Sequence, residues 1–171
     1  GTVRTALEQA VERLDKYGMV AEMGHKEVGG VKAKLDEFGH EAVVLEQLEI
    51  DWKFSNNPLQ TADNELQARI IVREVFRENG LDVTFNAKPI IGVAGSGEHT
   101  HFGVMAKLKS GKLVNLFSPE DMRKEACSSL GIGAIMGLLK HYEAINPFIS
   151  STTDALNRLK PGFEAPVCIV T

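Results

Sequence analysis

The hydrophobic and polar positions in the first part of the chain repeat with two periods, one helical and one typical of a strand. Apolar residues recur at helical spacing over residues 3–14, and Gly18 suits the end of that helix. Residues 19–28 look extended, and over residues 45–54 apolar and polar side chains alternate. This alternation predicts one core face and one open, acidic face. The core face carries Leu48, Ile50, Trp52 and Phe54, and the open face carries Gln47, Glu49, Asp51 and Lys53.

Further along the chain, the same patterns predict more helices and a hairpin. Thr61 suits the N-cap of a long helix that runs to Asn79. A short strand is expected at residues 81–86, and a strand at 99–108 turns back through a Lys-Ser-Gly-Lys loop into a strand at 113–117. Other helices are expected at residues 119–125, 128–145 and 151–159. These elements predict an α+β fold, in which an antiparallel β-sheet is flanked by helices.

The composition is that of a globular chain, and it narrows the classes of partner. Of 171 residues, 43% are hydrophobic and 25% are charged, so the chain can bury a core. The net charge of −4 argues against nucleic acid as the main partner, because such a partner requires a basic face. No apolar run is long enough to span a membrane. Cys127 and Cys168 form no CxxC motif, so we expect two reduced thiols in a cytoplasmic protein.

A glycine-rich stretch at residues 88–104 reads KPIIGVAGSGEHTHFGV and contains two candidate features. Its glycines match neither the dinucleotide-binding fingerprint nor a Walker loop, and the loop leads into a strand rather than a helix. A tight loop is therefore the simpler interpretation of the glycines. His99 and His101 lie two apart on the predicted strand and project from one face. They are either ligands of a metal or a phosphate, or ordinary surface histidines.

Carboxylates on two predicted strands form another candidate site. His25 and Glu27 share one face of the strand at 20–28, and Glu49 lies on the open face of the strand at 45–54. Two glutamates with one histidine favour Mg²⁺ or Mn²⁺ over Zn²⁺. The alternative is that these are solvated sheet residues.

The segment NRLKPGFEAPV, residues 157–167, predicts a helix end followed by a loop that carries one acid. Loops of this kind often act as lids over a site. An ordinary turn with an exposed salt bridge is the alternative interpretation.

Four segments, taken in order, resemble the motifs of the glutamine synthetase family. The glycine-rich stretch resembles the family signature K-P-x-x-G-x-N-G-S-G-x-H-x-H. The segments that resemble the other motifs read GHKEVGG with EQLEIDW, PLQTADNELQARIIVREV and LNRLKPGFEAPV. The resemblance implies that residues 1–171 are a partial catalytic domain, part of the β-funnel of that family.

The resemblance implies an ATP-dependent ligase that makes glutamine from glutamate and ammonia through γ-glutamyl phosphate. It also implies a two-metal site that uses Mg²⁺ or Mn²⁺. By position, Glu27 and Glu49 match two ligands of one metal, and His99 matches a ligand of the other. His101 matches a histidine close to the ATP phosphates.

The same resemblance implies a substrate site. Gly95 and Gly97 belong to the loop that holds glutamate. Arg158 matches the arginine that binds the glutamate carboxylate, and Glu164 matches the flap glutamate that takes a proton from ammonium. The whole protein is expected to form a homo-oligomeric ring, with no nucleic-acid or membrane partner.

Several positions depart from the family pattern. Lys26 stands in place of a histidine, Ala94 in place of an asparagine that contacts glutamate, and Gly103 in place of a serine. Residues 29–45 look like an insertion with its own loop or hairpin. These departures leave two alternatives open: a γ-glutamyl ligase for another amine or acid, or a relative without catalysis that has a structural or interaction role.

Other parts of the family pattern have no counterpart in the sequence. These are an N-terminal β-grasp domain, an E-x-E strand that supplies both metals, and a C-terminal segment with the last metal glutamate. The first residues, Gly1-Thr2, and the strand-like last residues also indicate a piece of a longer protein. Because metal affinity falls steeply when ligands are lost, we expect this chain alone to be inactive.

Overall fold

The computed structural model describes residues 1–27, 32–35, 37–38 and 41–159. The described residues form two compact units, one within residues 1–96 and 157–159, and one of residues 97–156. The helices are α1 (Thr2–Lys16), α2 (Pro58–Glu78), α3 (Ser129–Lys140), α4 (Tyr142–Ile149) and α5 (Thr153–Arg158). The strands are β1 (Ala21–Lys26), β2 (Lys32–Leu35), β3 (Glu41–Leu45), β4 (Leu48–Trp52), β5 (Met105–Lys107) and β6 (Leu113–Asn115). Helices with small antiparallel sheets confirm the predicted α+β class.

In the first unit, β1 and β4 pair as antiparallel neighbours. His25 lies directly opposite Glu49, and a bulge between Ala21 and Met23 shifts the register at the start of β1. Successive side chains of a strand point to opposite faces, so His25 and Glu49 share one face and Gly24 lies on the other. A side chain at Gly24 would collide with side chains of α1. The sheet therefore has one face against a helix and one open face.

The hairpin β2–β3 lies between β1 and β4 in the sequence and forms a separate sheet. Lys32 pairs with Leu45 at the base of the hairpin. Just before and after it, the backbone N–H of Glu27 donates to the carbonyl of Gln47 at 2.9 Å, which extends the contact between the two flanking strands. The hairpin falls within residues 29–45; that these residues are an insertion stays a prediction.

One hydrophobic core stabilises the first unit. α1 packs against α2 and β1, and Leu14 of α1 and Val75 of α2 are fully buried. The core cluster consists of Ala6, Leu7, Ala10, Leu14, Met19, Ala21, Ala68, Ile71, Val72, Val75 and Phe76. Leu48, Ile50 and Trp52 of β4 pack against it, which confirms the predicted core face. The polar side chains of β1 and β4 are therefore displayed from a backbone that the core holds in place.

The junction between β4 and α2 differs from the prediction in two ways. β4 ends before Phe54, which is 77% exposed, so its assignment to the core face is wrong. The N-cap of α2 is Asn57 rather than Thr61, because the Asn57 side chain accepts a hydrogen bond from the Gln60 backbone N–H at 3.1 Å. Pro58 then occupies the first helical position, where its missing N–H costs nothing.

The strand predicted at residues 81–86 is wrong, because no strand among the described residues pairs with this segment. Its alternating apolar side chains nevertheless pack against the core; they are Leu81, Val83 and Phe85. The guanidinium carbons of Arg69 and Arg73 lie 5.5 and 5.0 Å from the Phe85 ring centroid. In this segment the alternation of apolar and polar residues reflects burial of every second side chain and not pairing with a neighbouring strand.

In the second unit, the predicted hairpin is confirmed but its strands are shorter. Met105 pairs with Asn115, and Gly111 adopts a φ of 85° in the turn between β5 and β6. β5 begins at Met105, so the strand predicted from residue 99 onward is wrong for His99 and His101. Both histidines lie in irregular, exposed backbone.

The helix predicted at residues 119–125 is also wrong. A turn occupies this part of the chain, where the Asp121 carboxylate accepts a hydrogen bond from the Arg123 backbone N–H at 3.0 Å. An aspartate that bonds to the backbone two residues later stabilises a turn and competes with the helix.

The long helix predicted at residues 128–145 is divided into α3 and α4 at His141. Ser128 caps α3, since its hydroxyl oxygen accepts from the Gly131 backbone N–H at 3.1 Å. The short helix predicted at 151–159 is confirmed as α5. None of the helices in the described part of the chain has the length and apolar content that crossing a bilayer requires.

Candidate functional site

His25, Glu27 and Glu49 come together on the open face of the β1–β4 sheet. The His25 Nε2 atom lies 3.3 Å from Glu27 Oε1 and 3.4 Å from Glu49 Oε2. Their side chains are 39%, 40% and 38% exposed, so the core supports them from below and solvent reaches them from above. The antiparallel register places His25 opposite Glu49, with Glu27 two residues further along the same face. The sequence predicted this shared face; the ligand roles of the three residues stay a prediction.

The electrostatics of this cluster favour a bound cation. The pKa of Glu49 is raised, first because its carboxyl shares a hydrogen bond with the Glu27 carboxyl, and then because of burial and the nearby charge of Asp51. The electrostatic effect of the nearby His25 ring acts in the opposite direction and partly offsets this rise in the pKa of Glu49. Carboxyl groups held this close to one another favour a cation between them.

The donor atoms of the cluster also fit a small divalent cation. One atom from each of the three side chains lies within 4.8 Å of the other two. Neighbouring ligands of an octahedral Mg²⁺ ion are about 3 Å apart, since each lies at about 2.1 Å from the metal. The separations of 3.3 and 3.4 Å from the His25 nitrogen are close to that value. An oxygen-rich set with one imidazole suits Mg²⁺ or Mn²⁺.

Lys26, which departs from the family pattern, lies on the opposite face of β1 from His25. Its Nζ atom forms an ion pair with Glu46 Oε1 at 2.6 Å. The side chain of Lys26 is thus turned away from the His25–Glu27–Glu49 cluster.

In the first unit, the backbone at Gly95 lies close to two other segments of the chain, one at Ala87 and one at Arg158. It is buried, and a Cβ atom at this position would lie 2.6 Å from Arg158 Cγ and even closer to the Ala87 carbonyl oxygen. Among the described glycines, positive φ angles occur at Gly92 but not at Gly95. Space, rather than backbone conformation, therefore requires glycine at position 95.

Hydrogen bonds fix this loop to its surroundings. The Gln47 side-chain amide donates to the Gly95 carbonyl at 2.5 Å, and the Ser96 N–H donates to the Ala87 carbonyl at 2.8 Å. Gln47 lies two residues before Glu49, immediately before β4, the strand that carries Glu49. The loop and the cluster are thereby connected through one side chain. Sequence reasoning placed Gln47 on the open face but did not assign it a role at the site.

Arg158, the predicted carboxylate-binding arginine, is half-buried at the end of α5, with its aliphatic part against Gly95. Ala94 is half-buried in the same loop. Glu164, the predicted lid acid, lies outside the described residues.

The remaining predicted residues belong to the second unit. Gly97, His99 and His101 are all exposed there. Within the described parts of the chain, the group of residues with metal-ligand geometry is His25, Glu27 and Glu49. The assignments of His99 and His101 therefore rest on the sequence motif alone.

Asp51 is a second residue whose position sequence reasoning left without a role. Its Oδ2 atom lies 3.2 Å from His25 Nδ1, the ring nitrogen that points away from the two glutamates. A signal was present in the alternation of residues 45–54, which placed Asp51 on the same face as Glu49. The contact itself depends on the register and the ring orientation, which the alternation does not supply.

Comparisons with known proteins identify the family of the chain as a whole. The family model described as "Glutamine synthetase, catalytic domain" matches residues 2–170. The chain is 36% identical over 161 residues to the glutamine synthetase of Pyrococcus abyssi, an alignment covering 94% of this chain and 31% of that relative. It is 37% identical over 131 residues to the enzyme of Sulfolobus acidocaldarius, covering 77% of this chain and 27% of the relative. It is 34% identical over 167 residues to the glutamine synthetase of Pseudomonas aeruginosa, an alignment that covers 98% of this chain and 30% of that relative. The chain thus spans about a third of the length of these curated relatives.

Proposed function

Because the chain belongs to the glutamine synthetase family, we propose that it forms part of the catalytic domain of an ATP-dependent ligase that joins ammonia to glutamate. The observation that carries this proposal is the cluster of His25, Glu27 and Glu49 on the open face of paired strands. The two glutamates fall on the motif positions where the family has metal ligands. Their convergence supports that assignment, since the sequence separates them by 22 residues, counted from 27 to 49.

In the proposed mechanism, Glu27 and Glu49 hold a divalent cation, and His25 is a third donor. These residues would hold the cation, which would supply positive charge to offset the negative charge that develops on the phosphoryl group as it passes from ATP to the glutamate side chain. The glutamate carboxylate attacks the γ-phosphorus and ADP leaves, which gives γ-glutamyl phosphate. The open face of the sheet provides the space that the phosphate groups need.

The buried loop at Gly95 and the Arg158 side chain form the proposed glutamate subsite. The guanidinium of Arg158 suits a carboxylate, which it can bind with two parallel hydrogen bonds. Gly97 is expected to extend the same loop. The hydrogen bond from Gln47 to the Gly95 carbonyl supports a fixed loop, because it couples the loop to the strand that carries Glu49.

Three further roles follow from the family motifs. His99 is proposed to bind the second metal, and His101 to lie near the transferring phosphoryl group. Glu164 is proposed to take a proton from ammonium, so that neutral ammonia attacks the acyl phosphate and phosphate leaves. A lid at this position would also keep water from the acyl phosphate. A β-funnel domain and a ring of subunits complete the proposal for the whole protein.

A second candidate is a γ-glutamyl ligase that uses another amine or acid as acceptor. Ala94 favours it, because alanine cannot supply the amide contact that the family asparagine gives to glutamate. Lys26 adds little to the non-catalytic alternative, since its side chain pairs with Glu46 on the other face of β1.

Substitution of Glu49 by glutamine in the whole protein tests the proposal. Glutamine keeps the size of the side chain and removes its charge, so Mn²⁺ affinity and glutamate-dependent phosphate release from ATP are both expected to fall at least tenfold. Glu22→Gln is the matched control, because Glu22 is an exposed glutamate of β1 outside the cluster. Unchanged Mn²⁺ binding and phosphate release in the Glu49→Gln protein would refute the proposed function. Phosphate release that depends on another acid or amine would select the second candidate.

A further inference from the structure

The two ring nitrogens of His25 have different surroundings. Nε2 faces the carboxylates of Glu27 and Glu49, at 3.3 and 3.4 Å. Nδ1 lies 3.2 Å from Asp51 Oδ2. The Nδ1 atom is buried, and no group in the described part of the chain forms a hydrogen bond of good geometry with it. The contact with Asp51 is thus close but not aligned as a hydrogen bond.

The strand register explains why Asp51 reaches this nitrogen. His25 lies opposite Glu49 in the β1–β4 pair, and Asp51 pairs with Met23, two residues before His25. Residues two apart on a strand share a face, so Asp51 is the diagonal neighbour of His25. The imidazole therefore lies between Glu49, directly across, and Asp51, two pairs further along.

We propose that Asp51 is a positioning residue that holds His25 in the orientation and tautomer required to bind a divalent cation. This inference rests on the proposed function of the cluster. A histidine nitrogen that binds a metal must carry no proton, so a neutral ring that binds through Nε2 carries its proton on Nδ1. A buried N–H needs an acceptor, and the Asp51 carboxylate is within reach after a small rotation.

The Asp51 carboxylate gives the ring two properties. As acceptor of the Nδ1 proton it fixes the ring plane, so the lone pair of Nε2 points between the two glutamates. It also restricts rotation of the ring, as outer carboxylates do for other metal-binding histidines. A simple negative charge at position 51 would also attract a cation, but that attraction does not pass through His25.

A double-mutant cycle separates these two explanations. Mn²⁺ affinity of the whole protein is measured by electron paramagnetic resonance of the free ion, for Asp51→Leu, His25→Leu and the double variant. Loss of a residue behind a metal ligand typically costs about 10–100-fold in metal affinity, and this is expected for Asp51→Leu. In the His25→Leu background, Asp51→Leu should cause no further loss, because the group on which it acts is already absent.

The conservative variant Asp51→Asn provides a second measure. Its amide oxygen still accepts a hydrogen bond from Nδ1, so its loss of affinity should be several-fold smaller than that of Asp51→Leu. Asp82→Asn is the control, because Asp82 is exposed and lies outside β1 and β4. Equal losses for Asp51→Asn and Asp51→Leu, or an equal loss with and without His25, would overturn the inference in favour of simple charge.

The Glu49→Gln variant distinguishes failure of this inference from failure of the proposed function. If the wild type binds Mn²⁺ and Glu49→Gln does not, the cluster is a metal site. Wild-type affinity in the Asp51→Leu protein then overturns the role of Asp51 alone. If the wild type binds no Mn²⁺, the proposed metal site and the role of Asp51 are both overturned.

Discussion

The two units of the molecule differ in how far their apolar side chains are buried. Every buried hydrophobic residue of the described chain except Ala155 belongs to the core of the first unit. In the second unit, α3 and α4 expose large apolar side chains; Leu139 is 64% exposed and Phe148 is 85% exposed. In α3, Gly131 is the buried residue among those described.

This difference determines where the structure can hold functional groups in fixed positions. The polar face of β1 and β4 is backed by the core, so its side chains converge to within hydrogen-bonding distances. His99 and His101 extend from irregular backbone and make no comparable cluster in the described residues. A site is well ordered where a packed core supports the strands that carry it.

Of the substitutions compared between the two units, Leu14→Ala and Leu139→Ala should differ most in their effect on the free energy of unfolding. Leu14 is fully buried in the core, so its truncation is expected to lower the free energy of unfolding by about 2–5 kcal/mol. Leu139 is largely exposed, and its truncation should change the free energy of unfolding by less than about 0.5 kcal/mol. Urea denaturation followed by circular dichroism measures both. Equal losses would mean that α3 is buried as deeply as α1 in the whole protein.

Much of the first unit could be predicted from the sequence because its patterns are local. Helical spacing gave α1, and alternation gave the core face of β4. Alternation also placed Glu49 on the open face. The pattern failed at residues 81–86, since alternating burial does not require a hydrogen-bonded neighbour. It failed again at residues 119–125, where the side chain of Asp121 stabilises a turn.

The contacts that complete the candidate site could not be predicted from the sequence. The bond from Gln47 to Gly95 joins residues 48 positions apart, and no periodic pattern extends over that distance. The contact between His25 and Asp51 depends on the register of β1 with β4, and a bulge shifts that register near Ala21. The family motifs identified Gly95 as important. Only the structure gives the physical reason, which is lack of space beside Arg158.

Two glycine-to-alanine substitutions, one in each unit, should change the stability of the protein in opposite directions. At Gly95 a methyl group would collide with the Ala87 carbonyl and Arg158, so we expect a loss of about 1–3 kcal/mol in stability. At Gly133, inside α3, a methyl group meets no atom within 4 Å, and alanine should gain about 0.5–1 kcal/mol. Thermal and urea denaturation measure the difference. A stable Gly95→Ala protein would show that this loop can move away from Arg158.

Removing the N-caps of two helices, one in each unit, is expected to cause smaller losses of stability that are similar in size. Asn57 caps α2 and Ser128 caps α3, each through one hydrogen bond of 3.1 Å to a backbone N–H. Alanine at either position should cost about 1 kcal/mol. Ser128→Ala is expected to cost more, because the Ser128 hydroxyl also donates to the Leu116 carbonyl. A smaller loss for Ser128→Ala in chemical denaturation would indicate that α3 is weakly coupled to the folding of the chain.

The weakest expected effect is the pH dependence of two ion pairs, one in each unit. Arg13 of α1 makes two hydrogen bonds to the Glu78 carboxylate of α2, at 2.9 and 2.7 Å, and they lower the pKa of Glu78. In the second unit, Arg123 lowers the pKa of Asp121 through side-chain and backbone hydrogen bonds. Because the folded pKa is lower than the unfolded one in each case, each pair stabilises the protein above the unfolded pKa of about 4. That contribution is lost as the pH falls through the folded pKa.

Arg13→Met and Arg123→Met test whether the two pairs contribute equally. At neutral pH, Arg13→Met should lower the urea midpoint, and near pH 2 it should match the wild type because Glu78 is then protonated. Arg123→Met should have a smaller effect, since Arg123 and Asp121 are two residues apart and can also pair in the unfolded chain. The Arg13–Glu78 pair spans 65 residues, so unfolding separates its members. A midpoint difference for Arg13→Met that persists unchanged at pH 2 would mean that Arg13 stabilises the helices by packing rather than by its charge.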